Sequence, residues 1–127
     1  MAKILVVDDD EVSRLLMGRI LQDVGHEVTY AADGKIALEL IRTGGFTVVV
    51  TDLAMPTFNG LRLIQALREV HQNTPVIAVS GQNADQLMMA EDFGAAATLI
   101  KPLDRQRLIK EVELLAGEVS SVWNYAL

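Results

Sequence analysis

The chain has 127 residues, of which 50% are hydrophobic and 22% charged, with a formal net charge of −6 at pH 7; this length favours one domain with an ordinary apolar core. The absence of cysteine excludes disulfides, cysteine-ligated metal sites and a cysteine nucleophile, and the acidic balance argues against a nucleic-acid binder. No apolar run approaches the roughly 20 residues of a membrane span, and no signal-peptide pattern opens the chain, so we expect a soluble, cytoplasmic protein without a membrane partner.

Short apolar runs rich in valine and isoleucine recur along the chain between turn-forming residues. Such runs are typical of strands buried on both faces of a parallel sheet. They predict five strands, around Ile4–Val7, Val28–Tyr30, Val48–Val50, Val76–Val79 and Leu99–Ile100. Apolar stripes predict five helices between and after them, at Met17–Val24, Ile36–Ile41, Leu63–Val70, Leu87–Phe93 and Leu108–Leu115. Residues suited to helix N-caps precede these helices: Asp10, Asp33, Asn59, Asn83 and Asp104.

A strand followed by a helix, repeated five times, predicts a doubly wound α/β fold with helices on both faces of a parallel sheet. We assign residues 1–117 to this domain and residues 118–127 to a C-terminal extension. Apolar residues spaced by four and three run on through Val119, Val122 and Ala126, so the last helix either continues as a heptad seam or ends against the sheet. We favour the second interpretation because Gly117 and Ser120-Ser121 disfavour a helix.

Polar residues follow the predicted strands at their carboxyl ends. Asp8-Asp9-Asp10, Asp52, Ser80-Gly81 and Lys101-Pro102 should therefore gather at one edge of a parallel sheet, where ligands of such folds bind. Several carboxylates in one place either take up protons or hold a cation. Ligation by oxygen alone favours Mg²⁺, and after it Mn²⁺ or Ca²⁺. Carboxylates together with a lysine and a hydroxyl are also the side chains typical of phosphoryl-transfer sites.

The two histidines precede predicted strands rather than follow them. His26 and His71 are therefore expected at the opposite edge of the sheet, as surface residues without a role in the site.

Four segments in this order carry a resemblance to a known family. Leu5-Val6-Val7-Asp8-Asp9-Asp10, Asp52-Leu53-Ala54-Met55-Pro56 with Asn59-Gly60, Val79-Ser80-Gly81, and Lys101-Pro102 resemble the response-regulator receiver domains of two-component signalling, single-domain chemotaxis and phosphorelay receivers included. The resemblance covers residues 3 to about 116. It implies a flavodoxin-like sheet with strand order 2-1-3-4-5 and a phosphoaccepting regulatory domain, not an enzyme, that promotes its own phosphorylation and dephosphorylation.

The resemblance also implies a role for individual residues. Asp52 would accept the phosphoryl group, and Ser80 and Lys101 would each contact a phosphoryl oxygen. Asp9, Asp52 and the backbone carbonyl of Ala54 would ligate Mg²⁺, with Mn²⁺ as a substitute, and Asp8 would act through metal-bound water. The Lys101–Pro102 peptide bond is expected to be cis.

Three positions near the site bear on switching and on phosphoryl lifetime. Thr98 stands where the family usually carries an aromatic residue that turns inward on activation, so we expect output through the loop from Ser80 into the fourth helix. Gln82 and Gly81 belong to that loop, and Gln82 could orient hydrolytic water, whereas Ala54 offers no polar side chain for that purpose.

Partners follow from the same resemblance. The phosphoryl donor would be a sensor histidine kinase or a histidine phosphotransferase, docking beside the first helix near Ser13, Arg14 and Met17. Output would go to another protein, or to a domain absent from this chain, through the fourth helix, fifth strand and fifth helix. The same face, or the C-terminal helix, could form a homodimer.

Two other functions compete with the signalling switch. A haloacid-dehalogenase-like phosphohydrolase would use Asp8 as nucleophile and Asp10 as acid–base, but it would leave Asp52 unexplained. A receiver-like binding module that no longer accepts phosphate is the other alternative.

Overall fold

The computed structural model describes residues 1–56, 58–70, 73–81 and 84–117. In this part of the chain five strands alternate with five helices, as the hydrophobic pattern predicts. The elements in chain order are β1 (Lys3–Val7), α1 (Glu11–Asp23), β2 (Glu27–Ala31), α2 (Gly34–Gly44), β3 (Val48–Asp52), α3 (Gly60–Val70), β4 (Val76–Ser80), α4 (Ala84–Asp92), β5 (Ala97–Ile100) and α5 (Arg105–Leu115).

All strand pairs are parallel, and the strand order is β2-β1-β3-β4-β5. This confirms the doubly wound, flavodoxin-like fold. The register places Asp52 of β3 beside Val79 of β4, and Ser80 of β4 beside Ile100 of β5. Since parallel strands all end at one edge, the residues that finish β3, β4 and β5 face a common space.

The three central strands β1, β3 and β4 are buried almost throughout, which explains their unbroken apolar runs. Successive side chains point to opposite faces of a strand and thus enter two separate apolar layers. One layer joins the sheet to α2, α3 and α4, and the other joins it to α1 and α5. Each fully buried aliphatic side chain contributes about 1.5–3 kcal/mol to the free energy of unfolding, relative to an exposed one. These two layers therefore hold in place the carboxyl edge of the sheet, which is called the rim below.

The helical stripes are shorter than the sequence pattern predicts. In α1 the predicted residues Met17, Ile20 and Leu21 are buried, but Val24, just beyond the helix, is 41% exposed. Val70, the last residue of α3, is 47% exposed. In both helices the apolar pattern runs on past the end of the packed face.

Side-chain caps begin three of the helices as predicted. Asp33, Asn59 and Asp104 each accept a hydrogen bond from a backbone N–H in the first turn of the helix that follows, at 2.8–2.9 Å. Asp10 occupies the N-cap position of α1, as predicted, but its side chain makes no capping hydrogen bond. Its backbone N–H instead donates to Oδ1 of Asp8 at 3.0 Å. Asn83 lies outside the described residues.

His26 lies at the amino-terminal edge of the sheet, as predicted, but it is 5% exposed, so the prediction of a surface residue is wrong. Its Nδ1 accepts a hydrogen bond from the N–H of Ala2 at 3.1 Å, and its Nε2 lies 3.6 Å from a carboxylate oxygen of Glu113 in α5. The start of the chain and the last helix cover the imidazole from two sides. His71 lies outside the described residues.

Helix α5 ends at Leu115, and Gly117 adopts a left-handed φ of 75° that favours glycine. Residues 118–127 lie outside the described part of the chain, so the domain boundary at 117 and the heptad seam both stay predictions. None of the described helices is long and apolar enough to cross a lipid bilayer.

Candidate functional site

The carboxyl edge of the sheet brings together the four kinds of side chain that the sequence pattern placed there. Asp8 follows β1, Asp52 ends β3, Ser80 ends β4 and Lys101 follows β5. Asp8, Asp52 and Ser80 are buried, at 0%, 6% and 1% exposure. Polar side chains are costly to bury without partners. Their concentration at one edge therefore indicates a functional site rather than an ordinary patch of polar surface.

Carboxylate oxygens of Asp8, Asp9 and Asp52 lie within 4.8 Å of one another. Asp8 and Asp52 are buried, whereas Asp9 is exposed and leaves the group open to solvent on one side. Three carboxylates without histidine or cysteine make an oxygen donor set suited to a hard divalent ion such as Mg²⁺. These residues therefore fit the ion that the sequence predicts.

Lys101 supplies the positive charge of the site. Its Nζ lies 3.2 Å from Oδ2 of Asp8, to which it donates a hydrogen bond, and 3.6 Å from Oδ2 of Asp52. The Lys101–Pro102 peptide bond is cis, as predicted. The ammonium group thus stands between two buried carboxylates and offsets part of their mutual repulsion.

The protonation equilibria of the site reflect this crowding. Burial, and next to it the negative charge of Asp8, raises the pKa of Asp52 above its ordinary value, although Lys101 acts in the opposite direction. Burial alone would lower the pKa of Lys101, but the carboxylates of Asp52 and Asp8 together raise it. The cluster therefore favours any added positive charge, whether a proton or a metal ion.

Two contacts that sequence reasoning missed hold Asp8 in place. The N–H of Asp10 donates to its Oδ1, and Nη1 of Arg14 donates to its backbone carbonyl at 2.8 Å. Arg14 was predicted to contact a partner protein, yet its guanidinium supports the site from α1. Arg14 lies in the first turn of α1, and helical side chains tilt toward the amino terminus, so its guanidinium reaches back to Asp8.

The loop after β3 begins with Ala54 two residues beyond Asp52. Ala54 is exposed, and its N–H donates to Oδ1 of Asp52 at 3.4 Å. Gly60 starts α3 directly against this loop, because a Cβ at that position would meet the backbone carbonyl of Asp52 and lie 2.8 Å from Cα of Leu53. The glycine of the Asn59-Gly60 pair thus permits α3 to approach the segment that carries Asp52.

Ser80 has a partner that sequence reasoning did not identify. Its hydroxyl donates a hydrogen bond to Oε1 of Gln86 in α4 at 3.3 Å. On the neighbouring strand, Oγ1 of Thr98 donates to Oε1 of Glu91, also in α4, at 3.4 Å. Gly81 is exposed beyond Ser80, and Gln82 lies outside the described residues.

Comparison with known proteins agrees with this geometry. The pattern of the response regulator receiver domain matches residues 4–113. The chemotaxis protein CheY of Pseudomonas aeruginosa is 34% identical over 122 residues, covering 93% of this chain and 98% of that protein. The receiver domain of Francisella response regulator 1452 has a TM-score of 0.86 at 33% identity, covering 94% of this chain and 100% of that one.

Other relatives are longer than this chain. The Regulator of RpoS of Escherichia coli is 35% identical over 113 residues, which cover 87% of this chain but 33% of that protein. Receiver domains of two-component systems are regulatory phosphoacceptors that interact with sensor kinases or phosphotransferases. From its sequence match, its sheet order and the residues at its acidic rim, this chain belongs to the response regulator receiver domain family.

Proposed function

We propose that this chain is a phosphoaccepting switch in which Asp52 receives a phosphoryl group from a phosphohistidine of a sensor histidine kinase or histidine phosphotransferase. The observation that carries this proposal is the setting of Asp52. It ends β3 with Asp8 and Asp9 beside it, and its Oδ2 lies 3.6 Å from Nζ of Lys101. A carboxylate needs nearby positive charge before it can meet an anionic phosphoryl group.

The transfer exchanges one bond to phosphorus for another. An oxygen of Asp52 bonds to phosphorus while the phosphorus–nitrogen bond of the donor breaks, and the imidazole nitrogen keeps the electron pair. The product on this chain is an acyl phosphate, which water later hydrolyses to restore the carboxylate. The chain promotes both steps on its own side chain and acts as a regulatory domain rather than as an enzyme on a separate substrate.

Asp8, Asp9 and Asp52, with the backbone carbonyl of Ala54, would hold Mg²⁺ or Mn²⁺, with Asp8 acting through bound water. When bound, the ion supplies positive charge that offsets the charge of the phosphoryl group and of the three carboxylates. Lys101 is placed to pair with one phosphoryl oxygen. The hydroxyl of Ser80 ends the adjacent strand and can donate to another.

Phosphorylation changes the charge of the rim and thereby the surface that partners meet. An aspartyl phosphate adds close to two negative charges and new acceptor oxygens. It shifts a two-state equilibrium through contacts that exist in only one state, here those of Ser80 and Lys101. Output passes to another protein, or to a domain outside this chain, through α4, β5 and α5. A homodimer through that face, or through the C-terminal helix, is a second form of the same output.

The donor docks beside α1, but not through all the residues that the sequence suggested. Met17 is 0% exposed and cannot touch a partner, so that part of the prediction is wrong. The exposed apolar residues on the same helix are Val12, Leu15 and Leu16, at 75%, 48% and 58%. These side chains offer an apolar surface on which a donor protein can dock.

The decisive experiment locates the phosphoryl group. The chain is incubated with Mg²⁺ and acetyl phosphate, and the modified residue is mapped by mass spectrometry. We expect label on Asp52, none in Asp52→Asn, and wild-type labelling in the matched control Asp92→Asn, which changes an exposed carboxylate of α4. Label on Asp8 with turnover of phosphate esters would favour the phosphohydrolase instead. No label, and no response to beryllofluoride with Mg²⁺, would favour the binding module that does not accept phosphate.

A further inference from the structure

Ser80 and Gln86 form a link between the site and α4. The hydroxyl of Ser80 is buried and donates to Oε1 of Gln86 at 3.3 Å, so a residue of the rim is tied directly to the first half of a helix. A hydroxyl has one proton and donates it to one acceptor at a time. Any new acceptor for Ser80 at the site must therefore compete with Gln86.

The position of Asp52 supplies such an acceptor. Val79, which precedes Ser80, is the cross-strand neighbour of Asp52 in the sheet, and the N–H of Leu53 donates to the carbonyl of Val79 at 2.9 Å. Asp52 and Ser80 thus end adjacent strands, β3 and β4, at the same edge of the sheet. An acyl phosphate on Asp52 brings charged oxygens, which accept hydrogen bonds more strongly than a neutral amide oxygen.

Helix α4 packs against the rest of the domain through few buried side chains, so a change in the hydrogen bond of Ser80 can affect its position. Among its described residues Leu87 and Ala90 are buried, whereas Met88 is 64% and Met89 45% exposed. With only two buried side chains, the helix depends more on its polar ties. One such contact joins Gln86 to Ser80 near the start of the helix, and another joins Glu91 to Thr98 near its end.

We propose that Gln86 is a positioning residue that holds the Ser80 hydroxyl in the resting state. When Ser80 turns to a phosphoryl group on Asp52, the start of α4 is released while Glu91 and Thr98 still hold its end. This inference rests on the proposed function, because it needs a phosphoryl group at Asp52. It also gives the chain a route from the site to α4 that does not need an aromatic residue at position 98.

The first test replaces the acceptor and measures the dissociation constant of beryllofluoride in saturating Mg²⁺, a probe of the phosphorylated state. Gln86→Leu removes the competing acceptor, and one net hydrogen bond is worth about 1 kcal/mol, so we expect about fivefold tighter binding. The matched control Gln22→Leu changes an exposed glutamine of α1 and should keep the wild-type constant. An unchanged constant in Gln86→Leu would overturn the inference.

A double-mutant cycle shows whether Gln86 acts through Ser80. Ser80→Ala and Ser80→Ala/Gln86→Leu should bind beryllofluoride equally, because no hydroxyl is left to compete for. If Gln86→Leu tightened binding just as much in the Ser80→Ala background, Gln86 would act by another route and the inference would be wrong. If wild-type protein bound no beryllofluoride at all, the proposed function itself would fail, which is a different result.

Amide hydrogen exchange reports on the helix itself, without metal or beryllofluoride. In Gln86→Leu, the amides of Met88 and Met89 should exchange faster than in wild type, whereas those of Glu91 and Asp92 should not change. Beryllofluoride with Mg²⁺ should produce the same pattern in wild-type protein. Uniform acceleration along α4 would show a general loss of packing and would count against a specific tie.

Discussion

Asp8, Asp9, Asp52 and Lys101 form one cluster of charged side chains at the carboxyl edge of the sheet. Two carboxylates are buried, a third is exposed, and one ammonium group lies within 3.2–3.6 Å of the buried pair. One positive charge does not balance three negative ones. The free chain is therefore less stable at neutral pH than it would be if the rim carried less negative charge, which is the usual cost of a binding site.

Asp52→Asn should raise the free energy of unfolding at pH 7 in EDTA. The pKa of Asp52 in the folded chain lies above its ordinary value of 3.8, mainly through burial, so between 3.8 and that raised value the folded chain holds a proton that the unfolded chain has released. Stability consequently falls as pH rises through this window and stays reduced above it. Asparagine removes that loss because it cannot ionise.

The check is urea unfolding followed by circular dichroism at pH 7 and near pH 3.5. The advantage of Asp52→Asn should be present at the higher pH and shrink at the lower one, where Asp52 is protonated in the folded chain and mostly protonated in the unfolded chain. An equal advantage at both pH values would mean that asparagine stabilises the chain by packing and not by removing a charge.

Lys101→Met should weaken the fold and strengthen metal binding at once. It removes a hydrogen bond to a charged, buried carboxylate, and we expect a loss of about 1–2 kcal/mol in EDTA, since the lysine itself is partly exposed. It also removes the ammonium group that opposes a cation, so Mg²⁺ should bind more tightly than in wild type. Titration calorimetry tests this with Lys35→Met, an exposed lysine of α2, as control. Weaker Mg²⁺ binding in Lys101→Met would contradict it.

At the scale of elements, α1 shows how the rotation of a helix decides which residues act. The apolar residues of α1 surround much of the helix, so spacing alone does not separate the core face from the exposed face. Packing against the sheet buries Met17, Ile20 and Leu21 and leaves Val12 and Leu16 in solvent. The exposed pair then becomes available to a partner protein.

Met17→Ala should therefore lower the stability of the chain, whereas Leu16→Ala should slow phosphoryl transfer from a protein donor and leave stability nearly unchanged. Met17→Ala creates a cavity in the core and should cost about 2–5 kcal/mol of unfolding free energy. Leu16→Ala should change stability by less than about 0.5 kcal/mol, yet it should slow phosphoryl transfer from a histidine phosphotransferase that labels wild type. Its labelling by acetyl phosphate should be unchanged, because that donor needs no docking surface. Unaltered transfer from the protein donor would place the docking surface elsewhere.

At the scale of the whole molecule, the site joins elements that are far apart in sequence. Asp8 and Lys101 meet only when β1 and β5 stand in the same sheet, so a ligand that binds the rim also binds the folded state. Such a ligand stabilises the whole domain by mass action.

Mg²⁺ should accordingly raise the free energy of unfolding of the wild-type chain. At ten times its dissociation constant the gain is about 1.4 kcal/mol, and thermal unfolding at several Mg²⁺ concentrations measures it. Asp9→Asn should lose most of this gain, whereas the neighbouring exposed Asp10→Asn should keep it, because Asp10 is not in the group of three carboxylates. Equal gains in both variants would show that the ion binds outside this group.

The parallel sheet, and the edge of it at which the site lies, could be predicted from the residue pattern without a structure. Unbroken apolar runs mark strands buried on both faces, and the polar residues that end them must meet where parallel strands end. Asp8, Asp52, Ser80 and Lys101 could be placed in this way, because their position follows from topology alone.

Contacts that depend on how each helix is rotated and packed against the sheet became known only from the folded chain. The hydrogen bonds from Ser80 to Gln86 and from Arg14 to the Asp8 carbonyl, and the burial of His26 between Ala2 and Glu113, all belong to this class. They arise where two apolar layers fix the rotation of the helices against the sheet. A periodic pattern along one segment does not contain that information, because the partner that settles the rotation lies elsewhere in the chain.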